Sequence, residues 1–240
     1  MKSLSLAFAL VLVLAIGCGG PQPTPPAPEP AAAPAPAPEA VTDAGPAAEP
    51  AAAPAPAEPE KPALKTPENL QAAYAGETDA IIRYKAFAVA ADKEKYKAVA
   101  VLFRAAARAE EIHAKNIGDL ITAQGGTPVA GTATPEVKTT AENIKTALAG
   151  ESAERDTVYK GFVETAKAEE NAAAERLFKG MLEVEGEHAK LYKKADKDLA
   201  YWKKTDREFW LCTLCGNVMT SKKESCGVCG TDPSTFEEIK

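Results

Sequence analysis

The chain is 240 residues long and sets 28 Lys and Arg against 34 Asp and Glu, a formal net charge of −6, with two histidines and five cysteines. That acidic balance, with no basic aromatic stretch, excludes a nucleic-acid partner held by phosphate neutralisation. Pro and Ala crowd the first quarter, so only the chain from about residue 64 onward can fold, which is enough for one moderate domain and one very small one.

The opening MKSLSLAFALVLVLAIGC has Lys2, an apolar run from Leu4 to Ile16, and small Gly17 before Cys18, the layout of an export signal. The run is short for a membrane span, and a cysteine at its end resembles the lipobox of bacterial lipoproteins, where that cysteine is lipidated and becomes the mature N-terminus. Ala15 and Ile16 stand where the pattern prefers Leu and a small residue, so an ordinary cleaved signal or an uncleaved anchor is the alternative. Residues 1–18 are read as a lipoprotein-type signal lipidated at Cys18, which places the protein at the cell envelope or periplasm, held to a membrane by the lipid alone. Residues 19–63 are nearly all Pro, Ala and Glu and offer no apolar face to bury. Such a segment is an extended tether, reaching up to on the order of 100 Å.

Helical patterning begins at Thr66, Pro67 and Glu68, read as a capping hydroxyl, a first-turn proline and an early acid. Leu70, Ala73, Tyr74, Glu77, Ile81, Tyr84 and Ala88 then share one stripe. A second helix from about Asp92 carries Val99, Leu102, Phe103, Ala106, Glu110, His113, Ile117 and Leu120. The turn formers of GGTPVAGTATP interrupt at residues 125–135. A third stripe holds Ile144, Leu148, Glu151, Glu154, Val158 and Phe162, and a fourth Leu177, Met181, Val184, Glu185, His188 and Leu191. Four such helices over residues 64–204 predict an all-α bundle.

The halves repeat. NLQAAYAGE at 69–77 matches NIKTALAGE at 143–151 with an offset of 74, and LFRAAARAEEIHAK at 102–115 matches LFKGMLEVEGEHAK at 177–190 with an offset of 75. A repeated helix pair predicts pseudo-twofold symmetry that brings the two Glu-x-x-His elements face to face. With Glu about a tenth of the chain, both histidines having Glu three positions earlier is about a once-in-a-hundred coincidence. Glu and His three apart project from one helical face, here the apolar one. Unpaired buried carboxylates are avoided unless a cation makes them favourable. An oxygen-rich, imidazole-poor set suits iron or manganese better than structural zinc. Glu111, Glu169 and Glu170 are read as solvated faces.

Residues 205–240 contain C-x2-C-x10-C-x2-C, from Cys212 and Cys215 to Cys226 and Cys229. Four thiolates in two knuckles wrap one tetrahedral metal, with Gly216 and Gly230 allowing N–H groups to turn toward sulfur. Disulfides are the rival in an exported protein. The thiolates alone admit zinc as readily as iron; a redox-capable carboxylate site beside them favours iron.

Together these motifs resemble the rubrerythrins over about residues 66–240: a ferritin-like di-iron four-helix bundle followed by a small rubredoxin-like β domain. The resemblance implies two non-haem irons held by Glu77, Glu110, His113, Glu151, Glu154, Glu185 and His188, with Glu110 and Glu185 bridging. It implies hydrogen bonds from Tyr84 and Tyr159 to ligand carboxylates, and one iron on Cys212, Cys215, Cys226 and Cys229. It further implies reduction of hydrogen peroxide, with Glu154 and Tyr159 as candidates for proton delivery, electrons from a donor protein or reductase, and redox-linked movement of one iron between the positions of His113 and Glu154. A homodimer follows too, since the link after the fourth helix is short and family members set the rubredoxin domain of one chain against the bundle of another. Glu154 has no counterpart in the first repeat, where Ala80 stands, and Gly227 replaces the proline usual in rubredoxin-type knuckles. A ferroxidase and an envelope zinc-ribbon lipoprotein are the rival functions.

Overall fold

The computed structural model describes residues 64–240; the export signal, Cys18 and the tether lie outside the described residues. Four helical rods form the larger part. The first two are α1 (Thr66–Lys93) and α2 (Lys97–Ala123). The third is α3 (Thr140–Ala153) running through a π-helical turn, Glu154–Val158, into α4 (Tyr159–Ala168), and the fourth is α5 (Ala172–Lys197). A short α6 (Leu199–Lys204) leads to a three-stranded antiparallel sheet of β1 (Phe209–Cys212), β2 (Val218–Met219) and β3 (Phe236–Ile239), in the order β2-β1-β3. None of the described helices is long and apolar enough to cross a membrane.

The core comes in two apolar clusters. One gathers Tyr84, Phe87, Phe103 and Tyr192 and continues through Trp202, Phe209 and Leu211 into the small sheet; the other gathers Leu70, Ile117, Tyr159, Phe178 and Met181. On every rod the acids and histidines singled out above fall between the two. Glu77 lies between Ala73 and Ala80, His113 between Ile112 and Ile117, Glu151 between Ala147 and Tyr159, and Glu185 and His188 between Met181 and Leu191. The bundle therefore sandwiches a charged layer between two dry ones, where charges interact strongly and water is excluded.

Two local expectations are corrected. Thr66 does not cap α1: its hydroxyl is buried without a partner, and the Glu169 carboxylate, from the turn before α5, accepts from the Lys65 and Thr66 N–H groups at 2.7 and 2.9 Å. Glu169 is thus a cap supplied across the fold, not a solvated face, and an anion there suits the N-terminal end of the helix dipole. The third helix is not continuous, because it widens to π geometry from Glu154 to Val158. A π turn accommodates one extra residue within a helix, and the offset between the repeats grows from 74 at Glu77 and Glu151 to 75 at Tyr84 and Tyr159, across this turn. The widening keeps both flanking stripes facing the core.

Within this one chain the cysteine domain docks on the bundle. Asp198 caps α6 by accepting from Tyr201 N–H at 3.1 Å and turns the chain back. Trp202 then stacks on Phe209 at 6.2 Å, Arg108 of α2 reaches Glu237 of β3 at 3.0 Å, and Asn116 of α2 donates to the Leu214 carbonyl at 3.1 Å. The link is short, but α6 folds it in the right direction.

Candidate metal centres

Six donors converge in the charged layer: Glu77 from α1, Glu110 and His113 from α2, Glu151 from α3, and Glu185 and His188 from α5, all 2% exposed or less. Their atoms form two overlapping groups of four, Glu77, Glu110, His113 and Glu185, and Glu110, Glu151, Glu185 and His188, each within 4.8 Å. Glu110 and Glu185 belong to both. Glu185 puts one oxygen 3.0 Å from His113 Nδ1 and the other 2.9 Å from His188 Nδ1; Glu110 does likewise at 2.8 and 3.8 Å. A carboxylate so placed spans two adjacent positions.

The histidine tautomers follow from the cysteine domain. His113 Nε2 lies 3.0 Å from the carbonyl of Cys215, and His188 Nε2 lies 3.1 Å from that of Gly216. A carbonyl only accepts, so each Nε2 carries its proton, and in neutral imidazole each Nδ1 presents a lone pair to the carboxylates. Both Nδ1 atoms, with Glu77 Oε2, Glu110 Oε2, Glu151 Oε2 and both oxygens of Glu185, are buried without a hydrogen-bond partner. Orphaned lone pairs aimed at a common centre are unfavourable in a dry interior unless a cation lies among them. Divalent ions fit these residues, and the second nitrogen bonded to a carbonyl is how metal-bound histidines are oriented.

The electrostatics agree. Burial, then repulsion from Glu110, pushes Glu77 well above the ordinary carboxylate range, and burial pushes Glu151 up to about 8. Desolvation opposes charge on His113 and His188, but the neighbouring carboxylates outweigh it and raise both. Glu185, equally desolvated, is held low because it faces both imidazoles. Lacking metal, the cluster would share protons among acids and imidazoles; metal replaces them.

Two tyrosines complete the layer with crossed symmetry. Tyr84 of the first repeat donates to Glu151 of the second at 2.6 Å, and Tyr159 of the second donates to Glu77 of the first. Burial first, and the adjacent carboxylates next, keep both phenols protonated. Glu154 stands apart. It lies half-buried at the start of the π turn and belongs to neither donor group, yet desolvation and the charges of Glu77 and Glu151 raise its pKa well above the usual range. Tyr192, which the helical stripes do not single out, has a fully buried hydroxyl without a partner and packs its ring against Tyr84 at 5.8 Å. The two carbonyls are equally invisible in the sequence, because backbone acceptors leave no mark in side-chain periodicity.

The cysteine site has the dimensions of a thiolate cage. All four cysteines are free, with Cys212 and Cys229 Sγ 3.6 Å apart and Cys215 and Cys226 Sγ 3.6 Å apart. A tetrahedral metal with sulfur at about 2.3 Å spaces its sulfurs by about 3.8 Å, far beyond a disulfide bond. Gly216 and Gly230 adopt φ of +81° and +71°, which swings the next amides, Asn217 and Thr231, toward Cys215 and Cys229 sulfur. The Cys215 thiol and nearby amides bring Cys212 down to about 5, while Cys215 itself is pushed up, the mark of sulfurs competing for positive charge.

A model of the rubrerythrin family matches residues 68–196. Over 183 residues the chain is 34% identical to a rubrerythrin of Porphyromonas gingivalis, covering 73% of this chain and 90% of that protein. Over 173 residues it is 34% identical to nigerythrin of Nitratidesulfovibrio vulgaris, covering 71% and 85%. The solved structure of nigerythrin in its fully reduced, all-ferrous state superposes with a TM-score of 0.69 at 33% identity, over 76% of this chain and 90% of that one.

Proposed function

The chain belongs to the rubrerythrin family, and from that premise we propose that it is a non-haem di-iron peroxidase that reduces hydrogen peroxide to water, with electrons relayed through the four-cysteine site. The observation that carries the reading is the pair of contacts from His113 and His188 to the Cys215 and Gly216 carbonyls, which join the two centres within one chain. When bound, two ferrous ions supply together the two electrons that split the O–O bond, and an iron-thiolate site restores them singly.

The chain's own residues do the rest. The apolar layers exclude water from the carboxylates, and Tyr84 and Tyr159 fix the orientation of Glu151 and Glu77. Glu154, partly buried at the start of the π turn, is the candidate to pass a proton from solvent to peroxide, with Tyr159 as the buried alternative. Carbonyls of the first knuckle hold both imidazoles with Nδ1 inward and provide a short path for electrons. We also propose a homodimer, on the family resemblance, and export to the cell envelope with an anchor through lipid on Cys18, on the sequence pattern.

The test replaces Cys212 and Cys229 with Ser. The red colour of the cysteine site should vanish and donor-driven turnover should slow, while the prereduced bundle still reacts once with peroxide. Full steady-state activity, stoichiometric zinc in place of iron at this site in native protein, or oxidised iron leaving as product would each sink the proposal.

A further inference from the structure

The two knuckles of the cysteine domain have the same backbone plan. In the first, Gly216 N–H donates to the Cys212 carbonyl at 2.9 Å and Cys212 N–H to the Asn217 carbonyl at 3.0 Å; in the second, Gly230 N–H donates to the Cys226 carbonyl and Cys226 N–H to the Thr231 carbonyl, both at 2.9 Å. Asn217 and Thr231 therefore hold equivalent places, but their side chains do not. Thr231 is partly exposed, whereas Asn217 is 4% exposed and reaches across to the other knuckle, with its side-chain Nδ2 3.6 Å from Cys226 sulfur. A metal-bound thiolate only accepts, so the nitrogen end of the amide faces the sulfur and Oδ1 points away. Oδ1 is buried without a partner. That is a cost in a dry interior which a leucine of similar size would not carry, so packing alone does not account for an asparagine here. The backbone N–H of Asn217 turns toward Cys215 sulfur, and one residue thus offers an N–H to each knuckle.

We propose that Asn217 is a positioning residue that tunes the cysteine site: its side-chain amide, donating to Cys226 sulfur, raises the reduction potential of an iron held by the four thiolates. The inference rests on the relay reading above and names the side chain that sets the relay's potential. Taking up one electron adds negative charge to a site already rich in thiolate, and no bond or proton moves. Cys212 and Cys226, 0% and 2% exposed, hold two of the sulfurs out of water, which opposes the added charge. An N–H dipole aimed at one of those sulfurs favours it, and hydrogen bonds to the sulfurs are among the factors that set such potentials. A neutral amide does this without a proton that could leave. With the donor in place the site stays reducible despite its burial, and the reduced state is the one that can pass an electron to the bundle.

The full chain is loaded with iron, and its cysteine site is titrated with dithionite in the presence of one-electron mediator dyes. In Asn217→Leu the equilibrium constant for reduction should fall about tenfold, which lowers the midpoint by about 59 mV, and the sulfur-to-iron absorption bands should move to longer wavelength. A residue that only filled space would alter metal retention or melting and leave the midpoint where it was, so an unmoved midpoint in Asn217→Leu overturns the proposal. The bond is also read in the unsubstituted chain, which covers the case of a variant that does not fold. With cadmium-113 in place of iron, the Asn217 side-chain amide proton should couple to the metal through the sulfur and exchange slowly with solvent; an uncoupled, fast-exchanging side-chain amide overturns the proposal. The relay reading is tested separately by whether a reduced cysteine site goes on to reduce the bundle. If the midpoint follows the amide but the bundle stays oxidised, the relay fails and the role of Asn217 stands; if the midpoint is unmoved and the bundle is reduced as in wild type, the role of Asn217 fails and the relay stands.

Discussion

Replacing Gly216 with alanine should separate the bundle from its cysteine domain. Gly216 sits at φ +81°, and an added Cβ would lie 2.6 Å from His113 Nε2, 3.0 Å from His113 Cδ2 and 3.3 Å from the Ala109 carbonyl. The left-handed backbone alone costs about 1 kcal/mol for alanine. Overpacking against a buried imidazole adds about 1 to 3 kcal/mol, and loss of the His113 contact to Cys215 adds about 1 kcal/mol. The docked state should therefore lose roughly 3 to 5 kcal/mol. Gly230 is the internal control, because it has φ +71° but nothing within 4 Å of its Cβ position, so Gly230→Ala should cost only the backbone term of about 1 kcal/mol. Denaturant melts give the stabilities, and stopped-flow reoxidation of the prereduced cysteine site after a peroxide pulse gives the transfer rate. Gly216→Ala should lose both stability and rate, and Gly230→Ala little of either. Equal losses for the two variants, with transfer intact, would refute the docking contact as the electron path.

Removing the crossed tyrosines should strand their carboxylates: Tyr159→Phe and Tyr84→Phe should each destabilise the metal-free protein by about 1 to 3 kcal/mol in urea titrations, and a loss below about 0.5 kcal/mol in both would show that the bonds to Glu77 and Glu151 contribute nothing. The metal-free protein should lose stability as pH rises from about 5 to 8, because Glu151, raised from 4.5 to about 8, and His113 and His188, also raised, stabilise the fold only while protonated. The slope should approach 1.4 kcal/mol per pH unit for each proton of difference, roughly, and the loaded protein should show the opposite trend because metal competes with those protons; parallel slopes would contradict the cluster's protonation. Cys18→Ser should yield protein that no longer partitions with membranes and lacks lipid by mass spectrometry, and a wild type that is already soluble and unlipidated would end the lipoprotein reading.

The stripes of the four rods could be read from the chain because Glu-x-x-His twice on an apolar face admits few physical explanations, and the structure brings those residues into one buried layer. What could not be read depends on partners distant in sequence. Thr66 followed by Pro67 has the look of a cap, yet the cap is Glu169, about a hundred residues later. The return of the cysteine domain onto its own bundle hangs on six residues of α6, too few for a period to register. Glu154 lay on a stripe drawn with a uniform 3.6-residue turn, and the π turn alters that spacing just where it begins.

The same turn explains why a site built on a twofold repeat is not symmetric. Up to Glu77 and Glu151 the repeats superpose at 74, and the tyrosines that cross between them, Tyr84 and Tyr159, are related by 75. Both crossed hydrogen bonds survive the extra residue only because it is absorbed between Glu151 and Tyr159, where the helix widens instead of rotating its face. At the offset of 74, Glu154 answers to Ala80, which is 3% exposed and closes the first repeat's side with a methyl group. On the second repeat's side an acid, raised in pKa and partly buried, occupies the widened turn. The proton delivery proposed for this site needs an ionisable group beside the carboxylates, and of these two positions only Glu154 supplies one.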